Sequence, residues 1–249
     1  MINDDIHLDD LLSKRDKGET ACTRFLNEAE VALCERYLAS RKEDFILFGG
    51  YDGCIRTRLI LPAYWDKDTL DTSDYVTSVK IKGTAYRELS HSDFLGSITG
   101  CGISRNAVGD IVVSDDKTEA VVFCTPDIAA FLLESPDTLE YVGRDKVKIT
   151  EYKVDASFSP KRQYEEFTAF VSSLRLDCVV GAVLKTSREN AKSYIFKEKV
   201  TLNYLPVKDN DCRIEKSDVL TVRGKGKYRI SDLSETKKGR IRITVLKFI

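Results

Sequence analysis

Metal ligands and long apolar runs are what this 249-residue sequence has least of. It holds two histidines, His7 and His91, and neither lies near a cysteine pair, so no zinc ligand set is expected. The seven cysteines (Cys22, Cys34, Cys54, Cys101, Cys124, Cys178, Cys212) are odd in number and never spaced as Cys-x-x-Cys. They read as reduced core residues rather than a disulfide framework. No stretch reaches the roughly 18 apolar residues that a membrane span needs. The opening MINDDIHLDDLLSKRDKGET is acidic and lacks the basic start and apolar run of a secretory leader. A cytosolic protein with no metal, no cofactor and no membrane partner is expected. No low-complexity tract and no fixed-period repeat is present. What remains is an ordinary globular composition, 32% charged and 42% hydrophobic, long enough for one large domain or two to three small ones.

Charge is evenly balanced in total, 39 Lys and Arg against 40 Asp and Glu, but not along the chain. Residues 174–249 hold 18 basic and 9 acidic side chains, so this end carries +9 and residues 1–173 carry −10. A sign-coherent basic segment of domain size points to a polyanionic partner, because clustered cations displace the counterions of phosphates.

The fold class read from periodicity is α+β. Thr20–Leu38 places apolar residues at helical spacing, and two strand-like runs, 45–48 and 56–62, flank Gly49-Gly50-Tyr51-Asp52-Gly53. Asp-Gly in that joint predicts a hairpin turn, and the strand-like sequence after it argues against a nucleotide loop, which would open a helix. This gives a small N-terminal α/β domain over residues 1–72. Residues 73–154 then read as a strand from Tyr75, a short helix capped at Ser92 and Asp93, strands at 110–113 and 120–124, a helix opening at Thr125-Pro126-Asp127, and a last strand or two between Tyr141 and Tyr152. That order, β-α-β-β-α-β, is the ferredoxin-like one used by RNA-recognition modules (RRM-like). The strands carry no run of base-stacking aromatics, so the order alone gives no basis for RNA binding by this domain. Residues 155–173 read as a mixed connector. His91, Ser92 and Asp93 are consecutive, and a catalytic triad needs convergence from separate segments. Trp65, beside Tyr64, is expected to be a satellite core aromatic.

From Leu174 the pattern changes. Leu176, Val179, Val180, Val183 and Leu184 share one helical face, and a second helix, capped by Ser187, buries Ala191, Tyr194 and Ile195. Arg188 and Lys192 stand one turn apart beside that stripe and can face one phosphate track. Arg223-Gly224-Lys225-Gly226-Lys227 sets cations between glycines, where backbone N–H groups and ammonium groups can approach a phosphate together or simply form a solvated hairpin. Further on, Arg240 and Arg242 alternate with Ile241, Ile243 and Val245, a strand with one buried and one basic face.

Arg175-Leu176-Asp177, Ser187-Arg188-x-x-Ala191, Val200-Thr201-Leu202-Asn203 and Asp218-Val219-Leu220-Thr221-Val222 together resemble the S4 RNA-binding domain, with Glu198 and Ser217 at two positions usually glycine. Residues 174–249 are therefore expected to be an αα-β S4 domain with a basic C-terminal extension. Its RNA-contacting cations are Arg175, Lys185, Arg188, Lys192, Arg223, Lys225, Lys227, Lys237, Lys238, Arg240 and Arg242. Phe25-Leu26-Asn27, Phe48-Gly49-Gly50-Tyr51, His91–Gly96, Gly102–Arg105, Gly109-Asp110-Ile111, Ser172–Asp177 and the segments 223–227 and 236–242 extend the likeness, and the chain as a whole is similar to the bacterial YlmH family. That resemblance implies binding to ribosomal RNA and a role on the large subunit in the rescue of stalled nascent chains; a non-enzymatic monomer, with peptidyl-tRNA as a further partner, is expected. Two other classes remain open. One is an S4-bearing RNA-modifying enzyme, a pseudouridine synthase or rRNA methyltransferase, although residues 1–173 show neither the catalytic-domain Asp nor a cofactor loop. The other is an adaptor linked to cell division.

Overall fold

The computed structural model describes residues 6–66, 69–155, 157–160, 163–236 and 239–249, and places three β-sheets and six α-helices among them. The chain divides into two compact units, Met1–Pro160 and Lys161–Ile249. No helix among the described residues is long and apolar enough to cross a membrane.

The first unit opens with α1 (Leu8–Asp16), β1 (Ala21–Cys22) and α2 (Glu28–Arg41). The helix expected from Thr20 begins instead at Asn27. Its side chain caps Ala29 and Glu30 while Glu30 reaches back to the Asn27 N–H, a reciprocal capping box. The residues before it are extended, because Ala21 and Cys22 pair with β3 (Arg58–Leu61) and Leu26 bridges Thr57. With β2 (Ile46–Phe48) on the other side of β3, this makes a three-stranded antiparallel sheet. The expected tight hairpin between β2 and β3 is a longer loop: Phe48 pairs with Arg58, and the intervening glycines Gly50 and Gly53 take φ of +103° and +82°.

The second sheet of this unit contains β4 (Thr77–Gly83), β5 (Val108–Val113), β6 (Glu119–Cys124), β7 (Tyr141–Val142) and β8 (Asp145–Glu151) in the order β5-β6-β4-β8-β7, every adjacent pair antiparallel. Between strands run α3 (His91–Gly100) and α4 (Pro126–Glu134). The cap of α3 is Ser90 rather than Ser92; Asp93 closes a capping box with it, three residues on. Both helices lie on one face, where Phe94, Ile98, Ala129 and Leu132 bury against Val79, Ile81 and Val122. The other face carries Val121 and Phe123, covered by Phe25, Tyr51 and Phe158. Trp65 and Tyr64 are not core residues: they are 74% and 72% exposed, Trp65 donating to the Gly18 carbonyl and Tyr64 lying under the Arg15 guanidinium. Of the seven cysteines only Cys34 and Cys124 are fully buried, which pushes their thiols up to about 11 and about 12; the other five are half-buried, and all seven are free.

The second unit consists of β9 (Tyr164–Val171), α5 (Leu176–Val183), α6 (Arg188–Phe196), β10 (Val200–Leu202), β11 (Leu205–Pro206), β12 (Val219–Val222), β13 (Gly226–Glu235) and β14 (Ile241–Phe248). Its six-stranded antiparallel sheet runs β11-β10-β12-β13-β14-β9. The segment read as a connector is thus an edge strand for half its length, paired with β14 from Val171↔Ile241 to Tyr164↔Phe248. Phe167, Ala169 and Val171 turn inward, and the interruption by Glu165 and Glu166 hid that alternation. The two helices pack Leu176, Val179, Val180, Ala191 and Ile195 against Val200, Leu220, Ile230 and Ile243, all of them buried.

Glu198 and Ser217 adopt φ of +54° and +76°, the left-handed conformation that a glycine takes freely. A left-handed L-residue costs roughly 1–2 kcal/mol, and the extra chain entropy of glycine returns about half of that. Ser217→Gly is therefore expected to stabilise the second unit by about 0.5–1 kcal/mol, which raises its thermal midpoint by about 2–6 °C for a unit of this size. A lower midpoint by calorimetry would refute the strain.

Candidate nucleic-acid interface

The basic groups of the second unit are organised around one buried acid. Asp177, in the first turn of α5, is fully buried, and each of its carboxylate oxygens accepts from two arginines. Arg175 donates Nε to Oδ1 at 3.3 Å and Nη2 to Oδ2 at 3.2 Å. Arg188 donates Nε to Oδ2 at 2.9 Å and Nη2 to Oδ1 at 3.4 Å. Burial alone would raise the carboxyl; the hydrogen bonds from Arg175 and then Arg188 outweigh it and hold Asp177 at about 2. Arg175 also pairs with Asp211. Arg188 keeps one edge on the acid while its side chain stays 52% exposed, so its other edge is offered to solvent in a fixed orientation; Arg175 is held between Asp177 and Asp211.

Lys185 and Arg240 meet Arg188 around the same concavity, about 320 Å³, with Asp177 at its base and Phe170 and Gly181 in its wall. Lys185 arrives there because it ends α5 in the left-handed conformation (φ +51°): its N–H donates to Ala182 and that of Thr186 to Gly181, a Schellman closure that turns the chain sharply into α6. Ser187 caps α6 by accepting from Asn190, which sets Arg188 at the first helical position and Lys192 one exposed turn further. Arg240 is held from β9, donating to the Phe170 carbonyl at 3.2 Å with its guanidinium 5.9 Å from the Phe170 ring. A neighbouring hollow of about 370 Å³ is lined by Arg175 and by Arg213, a cation the sequence reading passed over because it lies in an irregular segment with no periodicity.

The remaining expected cations do not converge there. Lys227 lies over the rings of Tyr204 and Phe248, 4.7 Å from each centroid. Arg242 donates to Ser234 Oγ at 3.0 Å from β14. Arg223 and Lys225 occupy the exposed β12–β13 hairpin, whose glycines take φ of +76° and +130°. The backbone N–H groups of both are already engaged, by Lys199 and Val222 carbonyls, so only their side chains are available to an anion. Lys237 and Lys238 lie outside the described residues.

In the first unit the sequence motifs converge on a locus of a different kind. Asp110 on β5 accepts from Tyr51 Oη at 2.7 Å and from the N–H groups of Ile55 and Arg56 at 2.7 and 3.0 Å, folding the long glycine loop onto the sheet. Arg56 donates to the carbonyls of Val108 and Phe25, and Arg105 to those of Val108 and Gly109. Burial first, and then the charge of Arg56, push the Arg105 guanidinium down to about 10. A Cβ on Gly50 would stand 2.2 Å from the Phe123 ring, and one on Gly109 would stand 2.6 Å from Phe25. Close approach explains these glycines, and the residues tie loop to sheet. The sheet face opposite the helices is closed by this packing, with Tyr51 tilted against the Phe123 ring at 4.8 Å between centroids and Phe158 edge-on to it at 5.8 Å.

Comparison with known proteins gives likenesses of three kinds. Residues 72–156 match the family described as "Putative RNA-binding domain in YlmH". Over 224 residues, 89% of this chain and 85% of the relative, the sequence is 27% identical to the ribosome-associated protein quality control protein P2 of Bacillus subtilis (strain 168). A solved structure of the cell division protein ylmH from Streptococcus pneumoniae superposes on 58% of this chain and 86% of that chain, with 21% identity and a TM-score of 0.47. The resemblance to the YlmH family read from the motifs is borne out. The strand and helix order left the role of the middle segment open, and the family matching it is described by its likeness to an RNA-binding domain.

Proposed function

Because residues 72–156 match the RNA-binding-domain family of YlmH, we propose that this protein binds RNA on the ribosome and that its main grip on RNA is the basic second unit. The observation that carries the proposal is the convergence of Lys185, Arg188 and Arg240 on one concavity over a buried aspartate. An arginine locked edge-on by a carboxylate presents preorganised donors, and a preorganised fork suits phosphate oxygens better than mobile lysines do. The second unit, 161–249, has 20 Lys and Arg against 11 Asp and Glu and supplies the long-range attraction, while the acidic first unit does not.

In this reading residues 174–249 form an S4 domain. Its helix pair, closed at Lys185 and capped at Ser187, leads into the β10–β12 pairing. Residues 73–154 form a ferredoxin-like domain, supported by the placement of β4 between β6 and β8 with every pairing antiparallel. RNA contacts of that domain fall outside the sheet face, which Phe25, Tyr51 and Phe158 occupy. The partner is structured RNA of the large ribosomal subunit, with peptidyl-tRNA beside it, and the role is the handling of stalled translation; the relative named as a ribosome-associated quality control protein supports this. The protein works in the cytoplasm, as a monomer, without cofactor or catalysis. Crosslinking it to RNA in cells and sequencing the attached fragments tests the proposal. A discrete large-subunit or tRNA footprint with unmodified bases is expected. Modified bases at the footprint would replace the binding role with an enzymatic one, and recovery of no RNA would overturn the reading.

A further inference from the structure

The cationic ridge of α6 ends in a side chain that the fold does not use. Phe196, the last residue of the helix, is 85% exposed, while its neighbour Ile195 is fully buried. Leaving such a ring in water forgoes the stabilisation that its burial would give. Arg188, Lys192 and Phe196 fall at successive i, i+4 positions, so they follow one another along one side of the helix with about 6 Å of rise between each. Lys197 and Lys199, both exposed, follow directly. Resting on the RNA reading above, we propose that Phe196 is a stacking platform for an unpaired nucleotide base whose flanking phosphates run along Lys192 and Arg188.

The surroundings of the ring select this occupant. An apolar protein surface would need a continuous patch. The other exposed large hydrophobics described in this unit are Phe170, on the strand edge beside Arg240, and the terminal Ile249, so no run of exposed apolar residues adjoins Phe196 along α6; Lys192, Lys197 and Lys199 outnumber the exposed acids Glu189 and Glu198 near it in sequence, and Glu198 is paired with Lys208. A base joined to phosphates satisfies both features at once, with its π-face on the ring and its charges on the ridge. Phenylalanine offers no hydrogen-bond donor or acceptor, so the platform accepts any base and reads strandedness rather than sequence. A fully paired helix keeps its bases stacked internally and gains only the phosphate contacts.

The test uses the full-length protein and two hairpin RNAs, one with a single unpaired 2-aminopurine and one with that position paired. Wild-type protein is expected to quench the unpaired 2-aminopurine and to bind that RNA more tightly. Base–aromatic stacking is worth roughly 1–3 kcal/mol, so Phe196→Ala should weaken binding of the unpaired RNA about 5- to 150-fold and abolish the quench, with unchanged binding of the paired hairpin. Phe196→Trp should restore both. An exposed position leaves the thermal midpoint unmoved. Equal binding of both RNAs by wild type and Phe196→Ala would overturn the stacking role while leaving the RNA reading intact. Binding of neither RNA by wild-type protein would overturn the RNA reading and the platform with it.

Discussion

Asp177→Asn is expected to destabilise the second unit by about 2–4 kcal/mol and to weaken RNA binding in whatever molecules stay folded. The carboxylate is fully buried and takes four hydrogen bonds from two guanidinium groups. An amide replaces one acceptor oxygen with a donor aimed at a cation, and breaking a buried charge pair costs roughly 3–5 kcal/mol. The loss here sits toward the lower end, because Arg188 is 52% exposed and recovers some hydration. Urea unfolding followed by circular dichroism measures it; a change under about 1 kcal/mol would mean that the arginines do not depend on this anchor. Acid gives a second reading of the same pair. The folded carboxyl titrates at about 2, below its ordinary 3.8, so its stabilisation is complete above about pH 5 and is lost as pH falls through the folded value near 2. That component amounts to about 2 kcal/mol. The gap between wild type and Asp177→Asn should therefore be constant above about pH 5 and narrow as pH falls below it.

Arg188→Glu with Lys192→Glu is expected to abolish co-sedimentation with large ribosomal subunits, at some cost in stability where Arg188 leaves the buried Asp177. Both side chains are exposed and α6 tolerates glutamate well, so the helix survives. The electrostatic change is large. Two phosphate-facing cations become anions on the ridge that leads from Lys185, and the Arg188→Glu change also sets a carboxylate against Asp177 in place of its ion-pair partner. For that second reason Arg188→Gln with Lys192→Gln is the companion variant: it removes the attraction without adding repulsion. It should weaken binding less than the double glutamate. Retained co-sedimentation by both variants would move the RNA grip away from α6.

How far the site could be seen in advance depends on which signal each part carried. The helix pair was legible because its apolar residues repeat every three to four positions and Ser187 marks the second start. The Asp177 anchor was present in the Arg175-Leu176-Asp177 motif, but its role was not. A carboxylate two residues from one arginine and eleven from another acquires meaning only when α5 and α6 bring them together. The β9 strand was missed because Glu165 and Glu166 break its alternation, and its pairing partner lies some seventy residues away. The glycine loop 49–53 misled in the opposite direction. Its local chemistry favours a tight turn, and a long-range acceptor, Asp110, draws it into a wider loop. Local rules yielded to tertiary contacts in each of these cases. Phe196 carried no sequence signal at all, since a phenylalanine next to an isoleucine at the end of a helix reads as core.

If the converged cations of the second unit hold RNA phosphates, binding to isolated large subunits must depend steeply on salt. The logarithm of the affinity should fall linearly with that of salt concentration, by about 0.7–0.9 for each phosphate neutralised. Arg188→Gln with Lys192→Gln should lower the steepness by roughly 1.4–1.8, the share of two contacts. A wild-type affinity that is insensitive to salt, or a slope that the double variant leaves unchanged, would contradict the account.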